Sequence, residues 1–277
     1  MHTICENGFT EGNQFLDVYL KNKDYIYVSC VTHEFFDVTY NWYTSLKKLN
    51  LQDNVVLIAL NRLCYNKLLV YNIPCVLLET NISPENIDDA ITIFKKANAV
   101  AYIGKKYKID IIHSEVDIVI TKSCIEKLKE ETIDFDIAVA SNRIIGTEED
   151  HYIDTFGFAY FPFNEKTKPF WDFLSIDGEK AQSMIDSNSD FSLRAYLFEC
   201  FQKNNIKLKI LDLLEFPNGS ILFTKDSPEE ILQNCYILHY NNVLQEDVDF
   251  RFFNKDQIMN KTNIKVNLMK KYNHWFI

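Results

Sequence analysis

The chain has 277 residues, 47% hydrophobic and 25% charged, with only 7 Gly and 6 Pro. That composition excludes a disordered, collagen-like or linker-rich chain and leaves room for one large α/β domain or two small ones. Its 29 basic and 39 acidic residues give a net charge of −10, which opposes attraction to a phosphate backbone and argues against a general nucleic-acid binder. A nucleotide held through a divalent cation remains open, because carboxylates can hold the metal that holds the phosphates.

Seven scattered cysteines, odd in number and without a Cys-x-x-Cys pair, read as reduced core thiols of a cytosol-like compartment, not as a zinc cluster. The opening "MHTICENGFTEG" has neither a basic nor an apolar leader region, and no apolar run reaches about 18 residues. The expectation is therefore a soluble cytoplasmic protein with no membrane span. Heavy use of Asn, Lys, Ile, Tyr and Phe points to an AT-rich source genome.

Apolar runs alternate with amphipathic ones, as in a sheet with crossover helices. Residues 25–32 and 55–60 predict strands. Between them, 34–50 predicts a helix, with Phe35, Val38, Trp42, Leu46 and Leu49 at three- and four-residue steps. A third strand falls at 74–79, and a helix over 83–107 opens on Ser83-Pro84, a cap and first-turn pair. Ile109–His113 is the fourth strand. Further strands are expected at 136–141, 156–163, 206–212 and 235–240, and helices at 164–174 and 190–205. No linker-like stretch divides the chain, so residues 1–277 are read as one domain with two sub-regions.

The segment "IDIIHSEVDIVITKS" (109–123) sets two acids into an apolar run. In an extended strand Glu115 and Asp117 would share one face and repel unless a cation or proton lay between them. Oxygen ligands about 2.0–2.6 Å from a divalent metal would resolve that repulsion, and the metal could hold a diphosphate. A strand end whose acids simply face water is the other reading. His239 has the same two readings, core residue or ligand.

Several segments, in order, resemble glycosyltransferase family 77 and its relatives, nucleotide-diphospho-sugar transferases of GT-A fold. "VTHEFFDVTYNWYTSLKKLNLQDNVVLIALN" (31–61) is similar to the family's opening strand and Asn-Trp helix, and Ser114–Asp117 to its Ser-Asp-x-Asp stretch. Residues 154–174 resemble its acceptor-side strand and helix, 189–199 its Asp-Gln helix, and 213–223 and 236–243 its Asn-Gly turn and His-containing strand. The resemblance covers about residues 25 to 250. Three positions depart from it: Glu115 replaces Asp, Phe191 follows Asp190 where an amide is expected, and Asp154-Thr155-Phe156-Gly157 stands for Asn-x-Gly.

The resemblance implies an α/β fold of GT-A type, a single Rossmann-like mixed sheet flanked by helices, with a nucleotide-binding part over about 25–120 and an acceptor-side part over about 121–277. It implies Mn²⁺ or Mg²⁺ held by Glu115, Asp117 and His239, with Glu115 meeting the donor's ribose or a metal-bound water. It implies a nucleotide-sugar donor, a UDP-sugar in the first place, and a hydroxyl acceptor on a glycan, protein or small molecule, with anomeric configuration retained. Thr32, His33 and Asn61 end strands where base and ribose contacts begin, though a polar strand end needs no such role. Asp190 would orient sugar or acceptor, or simply cap its helix. Lys105 and Arg251 are candidate cations toward the diphosphate, though the "GKKYK" around Lys105 reads first as solvated surface. Trp171, Trp275 and Tyr160 could stack on sugar or belong to an aromatic core. A non-catalytic homologue that binds nucleotide or glycan stays open. A nucleotidyltransferase would want a Gly-rich loop after the first strand, and "VTHEFFDVTYN" has no glycine.

Overall fold

The structure is a computed structural model and describes residues 8–79, 90–141, 157–175, 200–222, 229–241 and 261–277. The strands are β1 (Tyr25–Val31), β2 (Val55–Ala59), β3 (Cys75–Leu77), β4 (Asp110–Ser114), β5 (Ile118–Ile120), β6 (Ile137–Val139), β7 (Phe158–Phe161), β8 (Leu208–Ile210) and β9 (Ile237–His239). Seven form one mixed sheet in the order β3-β2-β1-β4-β7-β6-β8. Its first four strands are parallel, β7 runs antiparallel to both β4 and β6, and β8 runs parallel to β6. β5 and β9 pair antiparallel in a small second sheet.

Alternate side chains explain why the central strands are apolar throughout. On β1 and β4, Ile26, Val28 and Ile111 enter one buried cluster, while Tyr27, Val31 and Ile112 enter the other. Helices cover both faces: α1 (Asn13–Tyr19), α2 (Phe36–Lys48), α3 (Arg62–Val70), α4 (Ala90–Tyr107), α5 (Ile125–Glu131) and α6 (Lys168–Leu174). Later come α7 (Gly219–Leu222), α8 (Glu229–Asn234) and α9 (Lys261–Lys271), the last packed with the small sheet around Val119, Leu238 and Met269. No helix among the described residues is long and apolar enough to cross a membrane.

The scarcity of glycine has a structural counterpart. Asn50, Asn72, Asn205 and Asn273 take φ values of 59°, 54°, 53° and 58° just beyond helices, where glycine is the usual choice. After α2, Leu51 N–H donates to Leu46 O at 3.0 Å and Asn50 N–H to Lys47 O at 3.0 Å, closing the helix over the asparagine. Asparagine tolerates this left-handed conformation better than other side chains.

Most expected strands form within a residue or two of their limits. The acidic segment does not form the single run the sequence suggested. β4 stops at Ser114, and Glu115-Val116-Asp117 is a turn that carries the chain from the large sheet into the small one. Helices α1, α3, α5, α8 and α9 were not foreseen, because they are short or their apolar residues are few or interrupted. Where an Asn-Gly turn was expected, α7 begins at Gly219. The expectations for 83–89, for Asp154–Phe156 and for most of the 190–205 helix lie outside the described residues.

Candidate functional site

The turn that carries the acids is built from both sides. Glu115 N–H donates to Gly157 O at 2.7 Å, which ties it to the strand beside β4. Asp117 O accepts from Tyr240 N–H at 3.0 Å, which starts the β5–β9 ladder and sets Ile118 opposite His239. His239 N–H donates in turn to Pro217 O at 3.1 Å. From within the core, the indole N–H of Trp42 on α2 donates to Ser114 Oγ at 3.0 Å, and Ser114 Oγ donates to Glu115 O at 3.0 Å.

Three ligand atoms converge there. His239 Nε2 lies 3.2 Å from Glu115 Oε2 and 3.4 Å from Asp117 Oδ1, and the three groups offer atoms all within 4.8 Å of one another. Asp117 and His239 are buried and Glu115 is exposed, so the cluster opens to solvent on the glutamate side. Lys265 of α9 binds the other oxygen of Asp117. Burial alone would raise the pKa of Asp117, but Lys265 and His239 outweigh it and hold the carboxyl well below the usual carboxylate range. Burial would likewise depress His239, yet the Asp117 carboxylate beside it pushes the imidazole up to about 9.

This donor set suits a divalent cation. Two carboxylates supply hard oxygen, and a neutral imidazole favours a first-row metal such as Mn²⁺ over Mg²⁺. Ligation needs the imidazole unprotonated, so a metal here would compete with the proton that the neighbouring carboxylates favour on His239.

Other expected site residues divide by their place on the sheet. Thr32 and His33 follow β1, and Asn61 follows β2, at the same carboxyl-terminal edge as the acidic turn, the edge where open α/β sheets receive ligands. Thr32 Oγ1 and His33 Nδ1 are buried atoms with no hydrogen-bond partner among the described residues. Asn61 Oδ1 accepts from Cys64 N–H at 2.9 Å and caps α3. Lys105 is elsewhere. It sits in the last turn of α4, before the start of β4, and pairs with Asp172 at 2.7 Å on the opposite edge of the sheet. A helix that feeds a strand delivers its end to that strand's beginning, away from the acidic turn. Lys106 pairs with Asp17 in the same region. Asp190 and Arg251 lie outside the described residues. Trp171 and Tyr160 are core residues, the latter donating to Asp110 Oδ2 at 2.5 Å, and Trp275 is half-buried beside α9.

Lys265 is the residue that sequence reading missed. It stands 148 positions from Asp117 in a polar helix, and no local pattern marks it. The only signal was a basic residue in the tail, and the tail has several.

No protein-family model matches the chain, and a search of curated proteins finds no match. Among solved structures it is similar to the glycosyltransferase GlyE of Streptococcus pneumoniae TIGR4, with a TM-score of 0.51 and 11% identity over 91% of this chain and 64% of that one. It thus spans less than two thirds of the length of GlyE. A glycosyltransferase involved in glycosylation of the major capsid of PBCV-1 matches with TM-score 0.48 and 8% identity, over 78% of this chain and 92% of that one. The galactosyltransferase LgtC, in complex with donor and acceptor sugar analogues, matches with TM-score 0.47 and 9% identity over 88% and 95%. The fold is α/β of GT-A type, a mixed seven-stranded sheet flanked by helices.

Proposed function

We propose that this chain is a metal-dependent glycosyltransferase that moves a sugar from a nucleotide-diphospho-sugar, a UDP-sugar in the first place, to a hydroxyl of a glycan, protein or small molecule. One observation carries the reading: Glu115, Asp117 and His239 converge at the carboxyl-terminal edge of a GT-A sheet. Asp117 and His239 would hold Mn²⁺ or Mg²⁺ from the buried side, and Glu115, exposed and longer-armed, would complete the set or meet the ribose. The bound metal supplies Lewis acidity that neutralises charge developing on the leaving diphosphate.

The remaining work falls to the chain's own groups. Thr32 and His33 meet the base or ribose with the atoms that lack partners. Asn61 has its oxygen committed to the helix cap, so its amide nitrogen faces the base. Lys265 exchanges Asp117 for the diphosphate and supplies a cation at the leaving group. Asp190 orients sugar or acceptor and Arg251 adds a second cation, in the roles the sequence resemblance gives them. Residues 1–277 act as one domain, and the transfer retains configuration.

Calorimetry with UDP, with and without Mn²⁺, tests the reading, followed by a screen for hydrolysis of a panel of nucleotide sugars. Metal-dependent UDP binding and turnover of one donor are expected. Absence of UDP binding at millimolar Mn²⁺ would refute the donor site, and binding without turnover of any donor would favour a nucleotide-binding protein that has lost the reaction.

A further inference from the structure

Asn41, the partner of Trp42 in the Asn-Trp pair, has no part in the chemistry above, and it is an odd residue for its place. It lies in the middle of α2, is fully buried, and has a side chain that weakens a helix interior. A buried amide must find partners for both its ends. Asn41 finds them in the chain's carboxyl terminus: Nδ2 donates to His274 O at 3.0 Å, and Oδ1 accepts from Phe276 N–H at 2.7 Å. Nδ2 also lies 3.6 Å from Met269 Sδ.

Met269 is four residues after Lys265 on α9, hence on the same helix face one turn away. Asn41 therefore touches both the helix that carries Lys265 and the tail that follows it. A second tie reinforces the first, since Tyr240 Oη and His274 Nδ1 are 2.6 Å apart and Tyr240 is the neighbour of His239. Two adjacent residues of one helix thus hold the two halves of the site. Trp42 fixes the acidic turn through Ser114, and Asn41 fixes the helix that brings the lysine to it.

We infer that Asn41 is a positioning residue: through α9 and the tail it sets Lys265 at the place where a donor's diphosphate would lie. The inference rests on the reading of the site as a metal–diphosphate centre. It gives Asn41 no contact with metal, nucleotide or acceptor; its effect passes through Lys265, and the Mn²⁺ titration checks that it does not pass instead through Tyr240 to His239.

The test compares the 277-residue protein with Asn41→Ala, Lys265→Ala, the double variant, and the milder Tyr240→Phe, which loses one tie and keeps the buried amide. Calorimetry would measure Mn²⁺ alone, then UDP and uridine in saturating Mn²⁺. Asn41→Ala should weaken UDP about tenfold while leaving Mn²⁺ and uridine affinities within about twofold. Tyr240→Phe should shift UDP in the same sense by about threefold. The double variant should bind UDP no more weakly than Lys265→Ala, since the two act in one path.

A merely structural role would lower all three affinities together, or lower the melting temperature with no change in binding. Either result overturns the inference, as do additive losses in the double variant. Should Asn41→Ala fail to fold, Tyr240→Phe decides by the same comparison of UDP with uridine. If the parent protein binds no UDP with Mn²⁺, the donor reading itself falls and takes the inference with it. If it binds UDP and Lys265→Ala binds as well, only the role of Lys265, and of Asn41 through it, is refuted.

Discussion

The two ends of β4 each carry an aspartate, and the two are satisfied in opposite ways. At its start, Asp110 accepts from Tyr160 Oη at 2.5 Å and from Phe163 N–H at 2.8 Å, both neutral donors on fixed groups. Just past its end, Asp117 meets Lys265 and His239, with the carboxylate of Glu115 on the same imidazole. Neutral donors complete a structural carboxylate and ask for nothing more. A buried acid held by a lysine from one side and a histidine shared with a second acid from the other keeps its charge, and that arrangement can exchange one cation for another. Asp110 is half-buried and Asp117 buried, but it is the identity of the donors that separates their chemistry.

The strongest way to break this contrast is to neutralise each acid in turn. Asp117→Asn should abolish Mn²⁺ binding and lower donor hydrolysis by at least about a thousandfold, a loss of about 4 kcal/mol in transition-state stabilisation. Asp110→Asn should leave both unchanged and cost about 1–3 kcal/mol of stability, because one of its two donors then faces an amide N–H₂. Urea melts and metal titrations on both variants check the pair, and equal loss of metal binding at the two positions would erase the distinction.

A smaller effect is expected behind the acidic turn. Trp42→Phe keeps most of the buried ring and removes the indole donor to Ser114 Oγ. The expected cost is about 1 kcal/mol, read by urea melts, with Mn²⁺ affinity falling severalfold as the Glu115 turn loosens. Unchanged affinity would mean that the ladder from Asp117 to Tyr240 alone sets the turn.

Least of all is expected at Lys105→Met. Its pair with Asp172 is largely exposed on both sides, where ion pairs contribute about 0–1 kcal/mol, and it stands at the far edge from the acids. Melting should barely move and UDP binding not at all; a clear loss of UDP affinity would contradict the geometry that separates it from the site.

These residues also mark how far the sequence could be read. Spacing alone left Asp117 and His239 each with two readings, ligand or ordinary strand-end residue, and only the resemblance to family 77 put the two together. What misled was the conformation around them. Alternation assigns Glu115 and Asp117 to one strand face, whereas the chain turns between two sheets there and reaches a similar convergence by another route. Lys105 misled for a topological reason, its helix pointing at the wrong end of β4. The short α3 escaped notice because Leu63, Leu69 and Val70 face outward and blur its period.

By itself the sequence determined the alternation of apolar strands and amphipathic helices, hence an α/β sheet buried on both faces, and the place of the acids at a strand's end. Those features depend on near neighbours along the chain, whose spacing fixes which face each side chain takes. Only the tertiary structure decided which cation meets Asp117, and which partners the buried amide of Asn41 finds. Both contacts close loops of well over a hundred residues, Lys265 to Asp117 and Phe276 to Asn41, and no local periodicity records a partner so far along the chain.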